Sequence, residues 1–213
     1  MPTQDVRGVR RSASSSTGGV QAQLNSNEFD EILVSQAMPP YAEMTRLGQG
    51  WSTMSVTALA ALVTRPTVTA GFEIFNGYAS GGPSLIVDRI FAEWRLATAV
   101  ASNAIMYAQV TAPKSAVTSG SFVVRGNSGK AYGGPVICAI STTVTDSGWF
   151  PWGPPSGSGL AAATPNGGME AKVEGRLIVP PQCSLCLHVV ASVTGDTFIQ
   201  GASWYERQIS HVA

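Results

Sequence analysis

The chain has 213 residues, with thirteen basic and thirteen acidic side chains, and only 12% of it is charged, about half the ~25% usual in soluble domains. Zero net charge supplies no field to hold nucleic acid or an anionic membrane. No apolar run approaches the ~20 residues of a bilayer span, and three cysteines cannot complete an intrachain disulfide framework.

Residues 1–27, MPTQDVRGVRRSASSSTGGVQAQLNSN, offer almost nothing apolar to bury. Ordering them alone would cost more entropy than it recovered, which predicts a flexible N-terminal arm ahead of one domain at 28–213. Arg7, Arg10 and Arg11 make the arm mildly basic and mark it as a candidate tether to a neighbouring subunit. Three arginines are too few for a genome-binding arm, because affinity grows with the number of phosphates neutralised. The first thirty residues also lack the apolar stretch of a secretory signal, so synthesis in a cytoplasm with reduced thiols is expected.

From Phe29 onward the chain breaks into short runs rich in Val, Ile, Thr and aromatics, punctuated by Gly and Pro. VTAGFEIFNG runs into a turn at Asn76-Gly77, and GGPSLIVDRIFAEWRL follows with neither face clean, as in a strand covered on both sides. NAIMYAQVTAP, SFVVRG, GGPVICAISTTVTD, AKVEGRLIVPP, SLCLHVVASVTGD and TFIQGASWYERQI continue the series. STMSVTALAALVTRP and LATAVASNA fit a helix as well as a buried strand. Eight to ten strands and at most one or two helical turns are predicted, an all-β antiparallel sandwich of jelly-roll type.

One segment breaks the series. GWFPWGPPSGSGLAAATPNGG, from Gly148 to Gly168, carries no charge and reads as a long irregular loop. Trp149, Phe150 and Trp152 would pack its start, leaving the SGSG portion mobile. These three rings are the candidate contact for another subunit, a protein partner or a glycan.

Cys183 and Cys186 have the C-x-x-C spacing of metal and redox sites, but their flanks read as strands. Residues three apart on a strand point to opposite faces about 10 Å apart, beyond the ~7 Å limit of a disulfide. No helix follows to lower a thiol pKa, and two more zinc ligands are not in evidence. Buried, inert cysteines are the expectation. His188 and His211 stand without a nucleophile motif, and the first reads as a packed mid-strand residue. Asp88, Glu93, Glu174 and Glu206 lie next to Arg89, Arg95, Arg176 and Arg207, which predicts ion pairs in place of catalytic carboxylates. RGNSGKAYGG, Arg125 to Gly134, lacks phosphate-loop spacing and reads as a turn. No catalytic, cofactor or metal residue emerges.

The closing stretch VEGRLIVPPQCSLCLHVVASVTGDTFIQGASWYE runs strand, Pro-rich turn, strand, Gly-Asp turn and a last strand ending on Trp204-Tyr205. It resembles the final strands of jelly-roll virion proteins, especially head decoration, head-fibre and surface proteins of tailed bacteriophages. That resemblance implies a non-enzymatic capsid-associated protein, a homotrimer bound to other capsid proteins through its N-terminal segment and located in the virion. It implies no catalytic residue. The alternative is a carbohydrate- or receptor-binding module for a host-surface glycan, using Trp149, Phe150 and Trp152 with the Arg125 to Gly134 loop.

Overall fold

The computed structural model describes residues 7–9, 21–23, 40–96, 102–117, 125–158 and 168–209. The chain divides into two units, residues 1–39 and 40–213. In the first, β1 (Arg7–Val9) pairs antiparallel with β2 (Gln21–Gln23), Arg7 opposite Gln23. Arg10 and Arg11 lie outside the described residues, and of Arg7 only the backbone is described.

The second unit opens with one short helix, α1 (Pro40–Arg46). Its strands are β3 (Gly50–Met54), β4 (Leu59–Ala60), β5 (Thr69–Phe75), β6 (Ser84–Leu96), β7 (Ser102–Val110), β8 (Arg125–Gly126), β9 (Ile137–Thr143), β10 (Phe150–Ser158), β11 (Gly168–Lys172), β12 (Ile178–Val179), β13 (Ser184–Ala191) and β14 (Thr197–Arg207). They form two sheets. One has the order β10-β7-β13-β5-β9; the other has the order β11-β6-β14-β3-β8, with β12 beside β6 and β4 beside β14. Every strand pairing in both is antiparallel. The all-β sandwich expected from the alternating runs is therefore present.

Both Ala-rich ambiguities bear on this count. STMSVTALAALVTRP falls into β3, β4 and a parallel bridge from Leu62 to Val190. Its β-branched residues and a sheet already built around it override the helical option. Of LATAVASNA, residues 97–101 lie outside the described residues, as does most of SFVVRG.

Setting aside the two-residue strands and β9, eight longer strands remain in chain order: β3, β5, β6, β7, β10, β11, β13 and β14. Their pairing is nested. The first lies against the last, β5 against β13, β6 against β11 and β7 against β10. The core between the sheets takes Trp51, Phe72, Ile74, Leu85, Val87, Ile90, Trp94, Met106, Leu185, Leu187, Val189, Phe198 and Trp204 from alternate positions of these strands. Trp94 and Phe198 stack at a tilt with centroids 4.9 Å apart. Each such side chain contributes about 1.5–3 kcal/mol through its burial.

The Gly148 to Gly168 segment differs from expectation. Its first half is a strand, β10, with Phe150, Pro151 and Trp152 opposite Ala108, Tyr107 and Met106, and Ser156, Gly157 and Ser158 opposite Ala104, Asn103 and Ser102. The register shifts between Trp152 and Ser156, which removes Pro154 and Pro155 from the ladder. Prolines cost a central strand a hydrogen bond, but β10 is an edge with one side unpaired. Residues 159–167 lie outside the described residues.

Candidate functional site

The fold separates the three rings of the β10 segment. Trp149 is buried, donates its indole N–H to the Thr67 carbonyl at 3.1 Å and packs with Ala70, Val144, Cys186 and Tyr107. Phe150 points outward and is 66% exposed. Trp152 is half-buried against the main core, with the Arg176 guanidinium 6.0 Å from its ring centre. Alternation along an extended segment sends Trp149 and Phe150 to opposite sides, and of the three rings Phe150 is the exposed one. The Arg125 to Gly134 loop belongs elsewhere: its Gly126 faces Trp51 on β3, at the far edge of the other sheet.

The C-x-x-C pair is structural. Cys183 packs into the main core, while Cys186 lies in the separate cluster around Trp149. All three thiols are free and buried. Burial pushes all of them up, Cys138 to about 12, so they stay protonated and unreactive. His188 is buried in β13 opposite Tyr107, and burial lowers its pKa. Its Nδ1 lies 3.1 Å from the Val189 carbonyl. Beside Cys186, Glu73 is wholly enclosed and accepts a 2.7 Å contact from Lys114 Nζ. These groups read as a buried ion pair and packed neighbours. Among the described residues, no three His, Cys, Asp or Glu side chains come together as metal ligands.

Of the four expected ion pairs, two form. Arg95 meets Glu93 at 3.0 Å and Arg176 meets Glu174 at 3.9 Å, both on the surface. Arg89 instead turns to Glu170 on β11, at 3.7 Å. The reason is cross-strand pairing, since β11 lies along β6 with Lys172 opposite Arg89; at β14 a bulge pairs Ser203 with Arg89 and Trp204 with Val87, leaving Asp88 as the extra residue. The Asp88 carbonyl accepts the N–H groups of Val173 and Glu174, at 2.7 and 2.8 Å. Burial is the main cause that raises the Asp88 carboxyl pKa.

Two hollows remain. The first, about 460 Å³, lies on the outer face of the β3-β14-β6-β11 sheet and is lined by Tyr41, Asp88, Arg89, Asn127, Glu170, Lys172, Glu174 and Ser203. Part of its polar lining is tied together. Asn127 donates to the Tyr41 phenol, Ser52 donates to Asn127 at 2.6 Å and meets Ser203 at 2.8 Å, and Arg89 donates to Ser203 at 3.2 Å. Such a network holds strands in register.

The second hollow, about 350 Å³, opens where β14 ends and β3 begins, beside the turn that follows β5. Glu206 is at its centre. Tyr78 donates to one carboxylate oxygen at 2.9 Å and Tyr132 to the other at 2.8 Å, with Trp204 Nε1 a further 3.5 Å contact. Tyr132 stands edge-on to Trp51, 4.7 Å between ring centres, and accepts the Val136 N–H. Lys130 and the backbone of Gly48, Gly133 and Gly134 complete the wall. Burial, then Glu206, pushes Tyr78 up to about 12; the same causes raise Tyr132 further, so both phenols keep their protons.

Of this group the sequence singles out only the Arg125 to Gly134 loop, grouped with the β10 rings as a glycan module, and it gives Glu206 an ion pair with Arg207. Strand alternation held the signal: Trp204 and Glu206 share a face of β14, while Tyr205 and Arg207 share the other. No family model, curated protein or solved structure matches the chain, so what it does must be argued from this geometry alone.

Proposed function

We propose that the chain is a non-enzymatic structural protein of a virus particle, a jelly-roll subunit that assembles with copies of itself and with other capsid proteins. The observation that carries this is the nested strand pairing. A long antiparallel ribbon rolled into two sheets brings first strand to last, second to seventh, third to sixth and fourth to fifth, which is jelly-roll order. β9 then adds one more strand at the β5 edge.

Jelly rolls also serve as lectin and cupin domains, so fold alone does not select assembly. Surface character favours it. Val56, Val63 and Leu96 are 46–61% exposed around the end of the sandwich where β14 begins. Leu96 lies opposite Thr197, Val56 follows Ser55 bonded to Gln200, and Val63 follows Leu62 bonded to Val189. With so few charges to keep this end in water, a second copy of the chain is its natural cover. The N-terminal residues, including Arg7, Arg10 and Arg11, would serve as the attachment to a shell.

Particles purified from the organism that carries the gene, analysed by peptide mass spectrometry, test this reading. Peptides of this chain are expected in constant ratio to the main shell protein through a density gradient. Their absence from every particle fraction, with the chain found free, would refute it.

A further inference from the structure

We propose that the hollow around Glu206 is a binding site for a neutral saccharide, a function separate from assembly. Four features of the site point to that class of ligand. Its volume, about 350 Å³, lies at the lower end of the range for small-molecule sites. It offers aromatic surface, from the half-buried rings of Tyr78 and Tyr132 and the edge of Trp51, on which the C–H face of a sugar can lie.

The third feature is balanced polarity. Glu206, through its remaining lone pairs, and the phenol oxygens accept hydroxyl protons, while Lys130 and the glycine-rich backbone donate. Lys130 is exposed and joins no ion pair among the described residues, so its ammonium is available. A phosphate or sulfate would face the Glu206 carboxylate, and a cationic ligand would face Lys130. A polyol satisfies both. The fourth is construction: a Cβ on Gly134 would sit 2.4 Å from the Tyr132 hydroxyl and 3.0 Å from that of Tyr78. Only glycine there lets both phenols reach the carboxylate.

Trp51 adds a detail. It is 5% exposed, and its indole N–H has no hydrogen-bond partner among the described residues. A buried donor left this way is destabilising. That cost marks the wall of this hollow as a place where packing alone did not decide the residue.

The test is saturation-transfer NMR and calorimetric titration of the full-length protein with glucose, galactose, mannose and N-acetylglucosamine. At least one is expected to bind with a millimolar or tighter Kd. Lys130→Ala and Tyr132→Phe should each weaken that sugar tenfold or more. Lys130 is exposed, so its variant should melt with the parent, which separates lost recognition from lost folding. Trp152→Ala should leave binding unchanged. Failure of all four sugars, binding unaffected by both pocket variants, binding abolished by Trp152→Ala, or binding confined to phosphorylated or sulfated sugars would each overturn the assignment.

Discussion

Lys114→Met is expected to destabilise the protein by about 3–5 kcal/mol, the usual consequence of stripping one partner from a buried ion pair. Glu73 sits in the middle of β5 with its side chain wholly enclosed, and Lys114 Nζ contacts one of its oxygens at 2.7 Å. The other oxygen has no hydrogen-bond partner among the described residues. The pair is already incompletely satisfied, so removing the ammonium leaves a carboxylate with nothing to offset its desolvation. Lys114 keeps 24% of its side chain exposed against none for Glu73, so the carboxylate is the more desolvated partner. The asymmetry fixes the sign of the companion experiment. Glu73→Leu combined with Lys114→Met removes both charges and should return stability to within about 1 kcal/mol of the parent. Urea unfolding with unchanged slope reads both values. A single variant within 1 kcal/mol of the parent would mean that Glu73 is not held as drawn here.

Trp204→Ala is expected to cost about 3–5 kcal/mol, the range for emptying a large aromatic from a core. Trp204 is 1% exposed and is the largest of the fully buried side chains. It sits on β14, the central strand of its sheet, between Trp51 on β3 and Val87 on β6. Being central, the site has paired backbone on both sides and little freedom to collapse around a cavity. Trp204→Phe, which keeps most of the volume and loses a 3.5 Å contact to Glu206, should cost much less. Because domains of this kind are stable by only about 5–15 kcal/mol, the alanine variant should lose a large share of its folded margin at 37 °C. Comparisons must hold protein concentration fixed, since assembly would stabilise the folded form by mass action. Equal effects of the alanine and phenylalanine changes would contradict the packing described.

What could be read from sequence divides along a physical line. Period-2 alternation and turn chemistry are local, so the strand series and the inert C-x-x-C pair were legible: Cys183 and Cys186 do face different surroundings. β10 was not, because Pro151, Pro154 and Pro155 argue against a strand unless the segment lies on an edge, and edges are set by the whole sheet. The partner of Arg89 was missed for a related reason. Glu170 reaches Arg89 only through the pairing of β11 with β6, and nothing in the local sequence announces it. The Glu206 hollow draws on residues 51, 78, 132 and 206, which meet only through non-local pairing. Sequence nearness favoured Arg207 for Glu206; the fold supplied two phenols.

The proposal that the surface exists to meet other copies is tested most directly by sedimentation equilibrium of the full-length protein at micromolar concentration. The account predicts a trimer or a larger closed assembly that holds together in high salt, since apolar side chains and not charges would carry the contact. A stable monomer across that concentration range would contradict it.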